Sequence, residues 1–154
     1  MKKLLLILLV CIAVVSGAYA QKSYTVTLTI TRIETMKAPL VIGLYSDEAS
    51  FKSKKAIDSL HVIPTKETMT VAFKKVPAGT YAIALFQDVN KTGKLTTKEF
   101  GIPAEPVGIS NYPLSGIPQP PKFKKAAFEV SENMAMTIPL MFSKDYKKDI
   151  EKIE

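Results

Sequence analysis

Residues 24–31 alternate without a break: Tyr24, Val26, Leu28 and Ile30 are apolar, and Thr25, Thr27, Thr29 and Thr31 follow them in turn. Successive side chains of a strand point to opposite faces, so this period of two predicts a strand with one buried face and one threonine-lined face. A sheet with one apolar face needs a second layer to cover it. The sequence offers several more strands to build that layer. Residues 40–45 follow Pro39 as an apolar run, and Met69, Val71 and Phe73 alternate with Thr70, Ala72 and Lys74. After the turn chemistry of Pro77-Ala78-Gly79, residues 81–86 are nearly all apolar or small, as in a central strand buried on both faces. Residues 126–130 form another run, and Met134, Met136, Ile138 and Leu140 a last alternation. Residues 47–60 are polar, with Phe51 and Ile57 as anchors and room for a short helical turn. About seven short strands and no internal repeat predict an all-β fold, a single antiparallel β-sandwich. The run 24–30 is a candidate edge strand, open to pairing with a second copy.

The N-terminus has a different pattern. Lys2 and Lys3 precede an apolar run over 4–15, and Ala18-Tyr19-Ala20 closes it with small residues, giving the three parts of a signal peptide. The run is shorter than the roughly 20 residues that span a bilayer. The lone cysteine, Cys11, lies inside the run behind Val10, where a lipoprotein site would have a small residue. Cleavage before Gln21 is expected, which divides the chain into a signal peptide (1–20), a sandwich domain (21–143) and a charged tail (144–154). The expected product is exported, periplasmic or extracellular, with no transmembrane segment after cleavage. Lacking cysteine, it cannot form a disulfide, and about 130 residues suffice for one core without staples.

Charge narrows the partners. The chain carries 21 basic residues against 14 acids, a net +7, and loss of Lys2 and Lys3 leaves +5. The lysines fall in doublets, Lys54-Lys55, Lys74-Lys75, Lys124-Lys125 and Lys147-Lys148, spread along the sequence, and Arg32 is the one arginine. Nucleic-acid recognition favours clustered arginine and aromatic side chains, so that partner class is excluded. A modest lysine excess suits an anionic envelope component, or a protein partner.

Residues 101–121 are proline-rich and too long for a hairpin loop. Ile102, Val107, Ile109, Tyr112, Leu114 and Ile117 give this stretch the apolar anchors that disordered linkers lack, so an ordered crossing loop is expected. Ordered loops on a rigid sandwich carry recognition, and Gly101, Pro103, Glu105, Gly108, Ser110 and Asn111 are the candidate recognition residues. Just before it, residues 88–99 fit the calcium-loop spacing D-x-[DN]-x-[DN]-G-x5-E at all but one position. Asp88, Asn90 and Thr92 would offer side-chain oxygens, Lys94 its carbonyl, Thr96 a water and Glu99 a bidentate carboxylate to Ca2+. Against this, Thr92 is a weak ligand, Lys91, Lys94 and Lys98 repel a dication, and the preceding strand rules out a helix-loop-helix hand. The alternative is a tight turn in which Asp88 and Asn90 cap backbone amides and Gly93 takes positive φ.

Several segments together resemble one family. They are Pro77-Ala78-Gly79-Thr80-Tyr81-Ala82, then Phe86-Gln87-Asp88-Val89-Asn90-Lys91-Thr92-Gly93-Lys94-Leu95. Next comes Phe100-Gly101-Ile102-Pro103-Ala104-Glu105-Pro106-Val107-Gly108-Ile109-Ser110-Asn111, and last Pro121-Lys122-Phe123-Lys124-Lys125-Ala126-Ala127-Phe128. In this order they resemble the bacterial secreted family known as domain of unknown function 2141, over essentially the whole mature chain. The resemblance implies a sandwich akin to transthyretin-like or carboxypeptidase-regulatory domains, and no enzymatic activity. The family more often has Asn and Asp where this chain has Thr92 and Thr96, which weakens any inherited cation site.

For catalysis the one histidine, His61, would have to serve. There is no G-x-S-x-G elbow, and H-E-x-x-H needs two histidines. Transthyretin-like hydrolases of oxidised purines use several histidines, an arginine and a C-terminal Tyr-Arg-Gly-Ser, whereas this chain ends Glu151-Lys152-Ile153-Glu154. The expected function is therefore a non-catalytic binding or structural module. Two alternatives are a carrier of a small apolar ligand, motivated by Met69, Met134, Met136 and Met141, and a hydrolase using His61.

Overall fold

The computed structural model describes residues 22–98, 101–112 and 120–142. The expected signal peptide and Gln21, the tail, Glu99, Leu114 and Ile117 lie outside them. The elements run β1 (Ser23–Thr31), β2 (Leu40–Tyr45), α1 (Glu48–Lys52), β3 (Asp58–Val62), β4 (Met69–Pro77), β5 (Gly79–Gln87), β6 (Val107–Ile109), α2 (Phe123–Ala126), β7 (Phe128–Val130) and β8 (Met134–Pro139). One sheet has the order β4-β1-β8. The other has the order β3-β2-β5-β6, with β7 pairing the start of β5.

The alternation in β1 becomes burial. Val26, Leu28 and Ile30 are fully buried, while Thr25, Thr27 and Thr29 are half-buried on the other face. From the second sheet Ile42, Leu44, Tyr81, Ile83 and Leu85 join them in one core, so the chain is an all-β sandwich. Burying a side chain of this size contributes about 1.5–3 kcal/mol, and this interior stabilises the fold without disulfides.

Several expectations are corrected. Residues 24–30 are no edge strand: β1 is central, antiparallel to β4 and parallel to β8. That parallel pair departs from an all-antiparallel arrangement. Ile57 is no anchor, being 53% exposed; Phe51 alone of that pair is buried. Beyond α1, residues 58–62 form a strand that pairs antiparallel with β2. Residues 123–126 are a helical turn, so β7 starts only at Phe128. Within the proline-rich stretch, β6 pairs with β5 at residues 84–86. The described strands number eight.

Periodicity alone misses the end of β4. Its register to β1 shifts between Tyr24 and Val26, leaving Phe73 and Val76 both buried although three residues apart. The extra residue of this bulge exposes Lys74 and Lys75 together, with Lys75 left-handed at φ 59. Beyond it, the Tyr81 hydroxyl donates to the Pro77 carbonyl at 3.1 Å and ties off the turn between β4 and β5.

A smaller cluster of Tyr45, Phe51, Ala82 and Ala126 joins the helices to the second sheet, with Phe51 edge-on to Tyr45 at 5.2 Å and to Phe123 at 6.0 Å. Burial raises the pKa of the Tyr45 phenol. Gly43 makes room for that ring, since a Cβ there would lie 2.7 Å from the Tyr45 hydroxyl. Met69, Met134 and Met136 lie half-buried against the main core, and Met141 is buried.

Candidate functional site

Among the described residues the buried polar side chains are Gln87, Asp88, Glu105 and Ser110. Three of them meet where β5 ends. Backbone bonds from Gln87 N–H to the Pro106 carbonyl and from Asp88 N–H to the Pro39 carbonyl, both 2.9 Å, pin that end between two loops. The Gln87 amide donates inward to the carbonyls of Thr35 at 2.6 Å and Ala38 at 3.2 Å, fixing the chain between β1 and β2.

Asp88 begins a tight loop. Its Oδ1 accepts from Thr92 N–H at 3.0 Å and its Oδ2 from Gly93 N–H at 2.8 Å. Gly93 takes φ 73, where a side chain is disfavoured. This is the amide-capping turn. The same curl gathers oxygens from alternate positions: Thr92 Oγ1 lies 2.8 Å from Asn90 Oδ1 and 2.9 Å from the Lys94 carbonyl. A hydroxyl has one proton, so Thr92 satisfies one of these acceptors at a time.

Glu105 closes the loop. An antiparallel bridge between Thr97 and Pro103, with bonds from Lys98 N–H to the Ile102 carbonyl at 2.7 Å and from Ala104 N–H to the Thr96 carbonyl at 2.9 Å, folds the chain back on itself. The Glu105 carboxylate thereby accepts from Asn90 N–H at 3.4 Å and from both the N–H and the hydroxyl of Thr96 at 3.0 Å. Asn90 Nδ2 donates to Thr96 Oγ1 at 2.9 Å. Asp88 and Glu105 are each 4% exposed, and neither has an ion-pair partner among the described residues. Lys91, Lys94 and Lys98 are exposed.

The metal-loop spacing assigns the closing carboxylate to Glu99, which is outside the described residues. It passes over Glu105, which the turn at 97–103 carries back to Thr96. Pro103 and the φ 73 of Gly101 mark that turn, but their sequence does not reveal which acid it delivers. No group of three or more His, Cys, Asp or Glu side chains among the described residues could hold a metal. A cation here would rely on neutral oxygens from Asn90, Thr92, Lys94 and Thr96 beside two carboxylates.

The six candidate recognition residues divide. Gly101 and Asn111 are exposed and Pro103 is half-buried, whereas Glu105, Gly108 and Ser110 are buried. Gly108 lies in β6 opposite Leu85, and Asn111 Nδ2 donates to the Ala127 carbonyl at 2.7 Å. His61 stands exposed on β3 opposite Val41, and its side chain has no hydrogen-bond or ion-pair partner among the described residues. No helix among the described residues is long and apolar enough to cross a membrane.

A family model described as an uncharacterized protein conserved in bacteria (DUF2141) matches residues 28–138. Neither the curated proteins nor the solved structures contain a match.

Proposed function

This chain belongs to DUF2141, a family of uncharacterised bacterial proteins, and from that premise we propose that it is a non-catalytic exported module that binds or supports other components of the periplasm or cell exterior. One observation carries the reading. Each buried polar side chain of the described residues holds backbone: Gln87 the chain before β2, Asp88 and Glu105 the loop after β5, and Ser110 the middle of β5. Groups committed to amides and carbonyls in this way make a rigid frame for loops. General acid-base work needs a titrating side chain oriented by a partner, and exposed, unpartnered His61 does not meet that requirement. The test is a broad hydrolase screen of wild-type and His61→Ala protein, paired with fractionation of the producing cells. Turnover that disappears in the variant, or retention of the protein in the cytoplasm, would overturn the reading.

A second reading concerns the loop alone: it takes up calcium, weakly, as a structural ion. The crowding of Asn90 Oδ1, Thr92 Oγ1 and the Lys94 carbonyl beside two buried carboxylates favours it, because hard cations are held by six to eight such oxygens. Thermal unfolding in calcium and in chelator tests it, and equal midpoints would leave the loop as an amide-capping turn.

A further inference from the structure

At the end of the sandwich remote from Asp88, one lysine doublet lines a concavity and a second, separate in the sequence, directly precedes a segment that lines it. Asp88 follows the last residue of β5, whereas Lys74 and Lys75 stand just before its first. They line a concavity of 230 Å3 together with Ile57 and Asp58, which reach it from the start of β3. Lys54 and Lys55 stand three and two residues ahead of Ile57 in the chain. The fold sets this arrangement in two places. The bulge in β4 exposes Lys74 and Lys75 together, and α1 stops at Ser53 so that Lys54 turns left-handed at φ 56. Lys52 and Lys122 line a separate cleft, where Glu48 offsets part of their charge.

All four doublet lysines are exposed, and none has an ion-pair partner among the described residues. The acid on the rim is Asp58, whose carboxylate accepts from Ser59 N–H at 2.8 Å. Ile57 is 53% exposed. We propose that this face docks on an anionic phospholipid bilayer, with the lysines against headgroup phosphates and Ile57 entering the interface between them.

Two features favour a bilayer over a soluble polyanion. The cations are lysines, hydrated point charges suited to a diffuse anionic surface, whereas bidentate recognition of individual phosphates favours arginine. An isoleucine among them gains nothing from a polyanion in water but gains burial at a lipid interface. The inference does not depend on the Asp88 loop or on calcium.

The experiment is co-sedimentation of the protein, isolated as its host processes it, with phosphatidylcholine vesicles that contain or lack about a third phosphatidylglycerol. Binding is expected only to the anionic vesicles, and to weaken steeply as salt screens it. The variant K54Q/K55Q/K74Q/K75Q should bind about tenfold or more weakly, since each lysine adds to the attraction. Ile57→Ser should weaken binding severalfold with the charge intact. K91Q/K98Q, at the other end of the molecule, should leave it unchanged, and melting curves of each variant check folding. If the quadruple variant does not fold, the separate pairs K54Q/K55Q and K74Q/K75Q replace it, and each should bind more weakly than wild type. Failure of wild type to bind overturns the proposal, as does a loss in K91Q/K98Q as large per charge removed as in the lysine variants of the face, which would mean net charge alone. Undiminished binding by the folded lysine variants, or binding to inorganic polyphosphate with no effect of Ile57→Ser, would do so too.

Discussion

Ser110 takes the place of a strand partner for Ile83. Its hydroxyl oxygen accepts the Ile83 N–H at 2.9 Å, its own N–H donates to the Ile83 carbonyl at 2.9 Å, and the hydroxyl lies 2.6 Å from the Ala126 carbonyl. β6 pairs with β5 up to Ala84, and β7 pairs with it only as far as Tyr81. The backbone of Ile83 lies between the two, and the serine satisfies it.

Ser110→Ala removes an acceptor from one buried amide and a donor from one buried carbonyl without changing the apolar packing. Unsatisfied buried groups of this kind cost about 1–3 kcal/mol each. Chemical denaturation should therefore show a loss of a few kcal/mol, with an unchanged slope against denaturant. A loss below about 0.5 kcal/mol, the usual range of surface changes, would mean that water replaces the hydroxyl.

Gly108 faces the interior between the sheets. A Cβ there would stand 2.8 Å from Ile138 Cγ2 and 3.0 Å from Leu85 Cδ2, both in the packed core. Gly108→Ala should destabilise by about 1–3 kcal/mol through overpacking. The paired Gly108→Ala/Ile138→Leu should recover part of that, because leucine lacks the branch carbon Cγ2 that the new Cβ would meet. Additive losses in a double-mutant cycle would rule out this contact as the cause.

How far the sequence reveals this fold depends on whether the information is local. The burial of Val26, Leu28 and Ile30 follows from a period of two, and the dense apolar run 81–86 marks β5 as central. Local pattern cannot tell which neighbour a strand acquires, and so the parallel pairing of Leu28 with Met136 is invisible in it. Nor does it reveal a bulge. The alternation through Met69, Val71 and Phe73 points past Val76, which is buried only because Lys75 takes a left-handed turn. At the candidate site Asp88, Asn90 and Gly93 are legible because the turn they make is local. Glu105 is not, since its place depends on chain reversal across residues 97–103.

Asp47 provides a pH test. It caps α1, accepting from Ser50 N–H at 2.7 Å while the Ser50 hydroxyl receives the Asp47 N–H at 3.3 Å. The backbone bond from Ser50 holds its carboxyl below the usual pKa. A depressed folded pKa means that the unfolded chain binds the proton more tightly, so the stabilisation is present at neutral pH and fades as pH falls through the folded value. Asp47→Asn should differ from wild type at pH 7 and converge with it in acid. A difference that persists unchanged at low pH would show that the cap does not act through its charge.

The closing carboxylate of the Asp88 loop separates the two accounts of that loop. Glu105 is buried and bonded to Asn90 and Thr96, so Glu105→Gln should lower stability even in chelator, because a charge-assisted acceptor at Thr96 becomes a neutral amide. Glu99 is the acid that the loop spacing nominates. If calcium binds with Glu105 as the closing ligand, wild type gains RT ln(1 + [L]/Kd), about 2.7 kcal/mol at a hundredfold excess. Glu105→Gln should then lose that gain and Glu99→Gln keep it. The opposite pattern would give the ligand role to Glu99 and leave Glu105 as a purely structural closure. Wild-type midpoints that ignore calcium would restrict both acids to the apo fold, where the cost of Glu105→Gln in chelator still measures what the closure contributes.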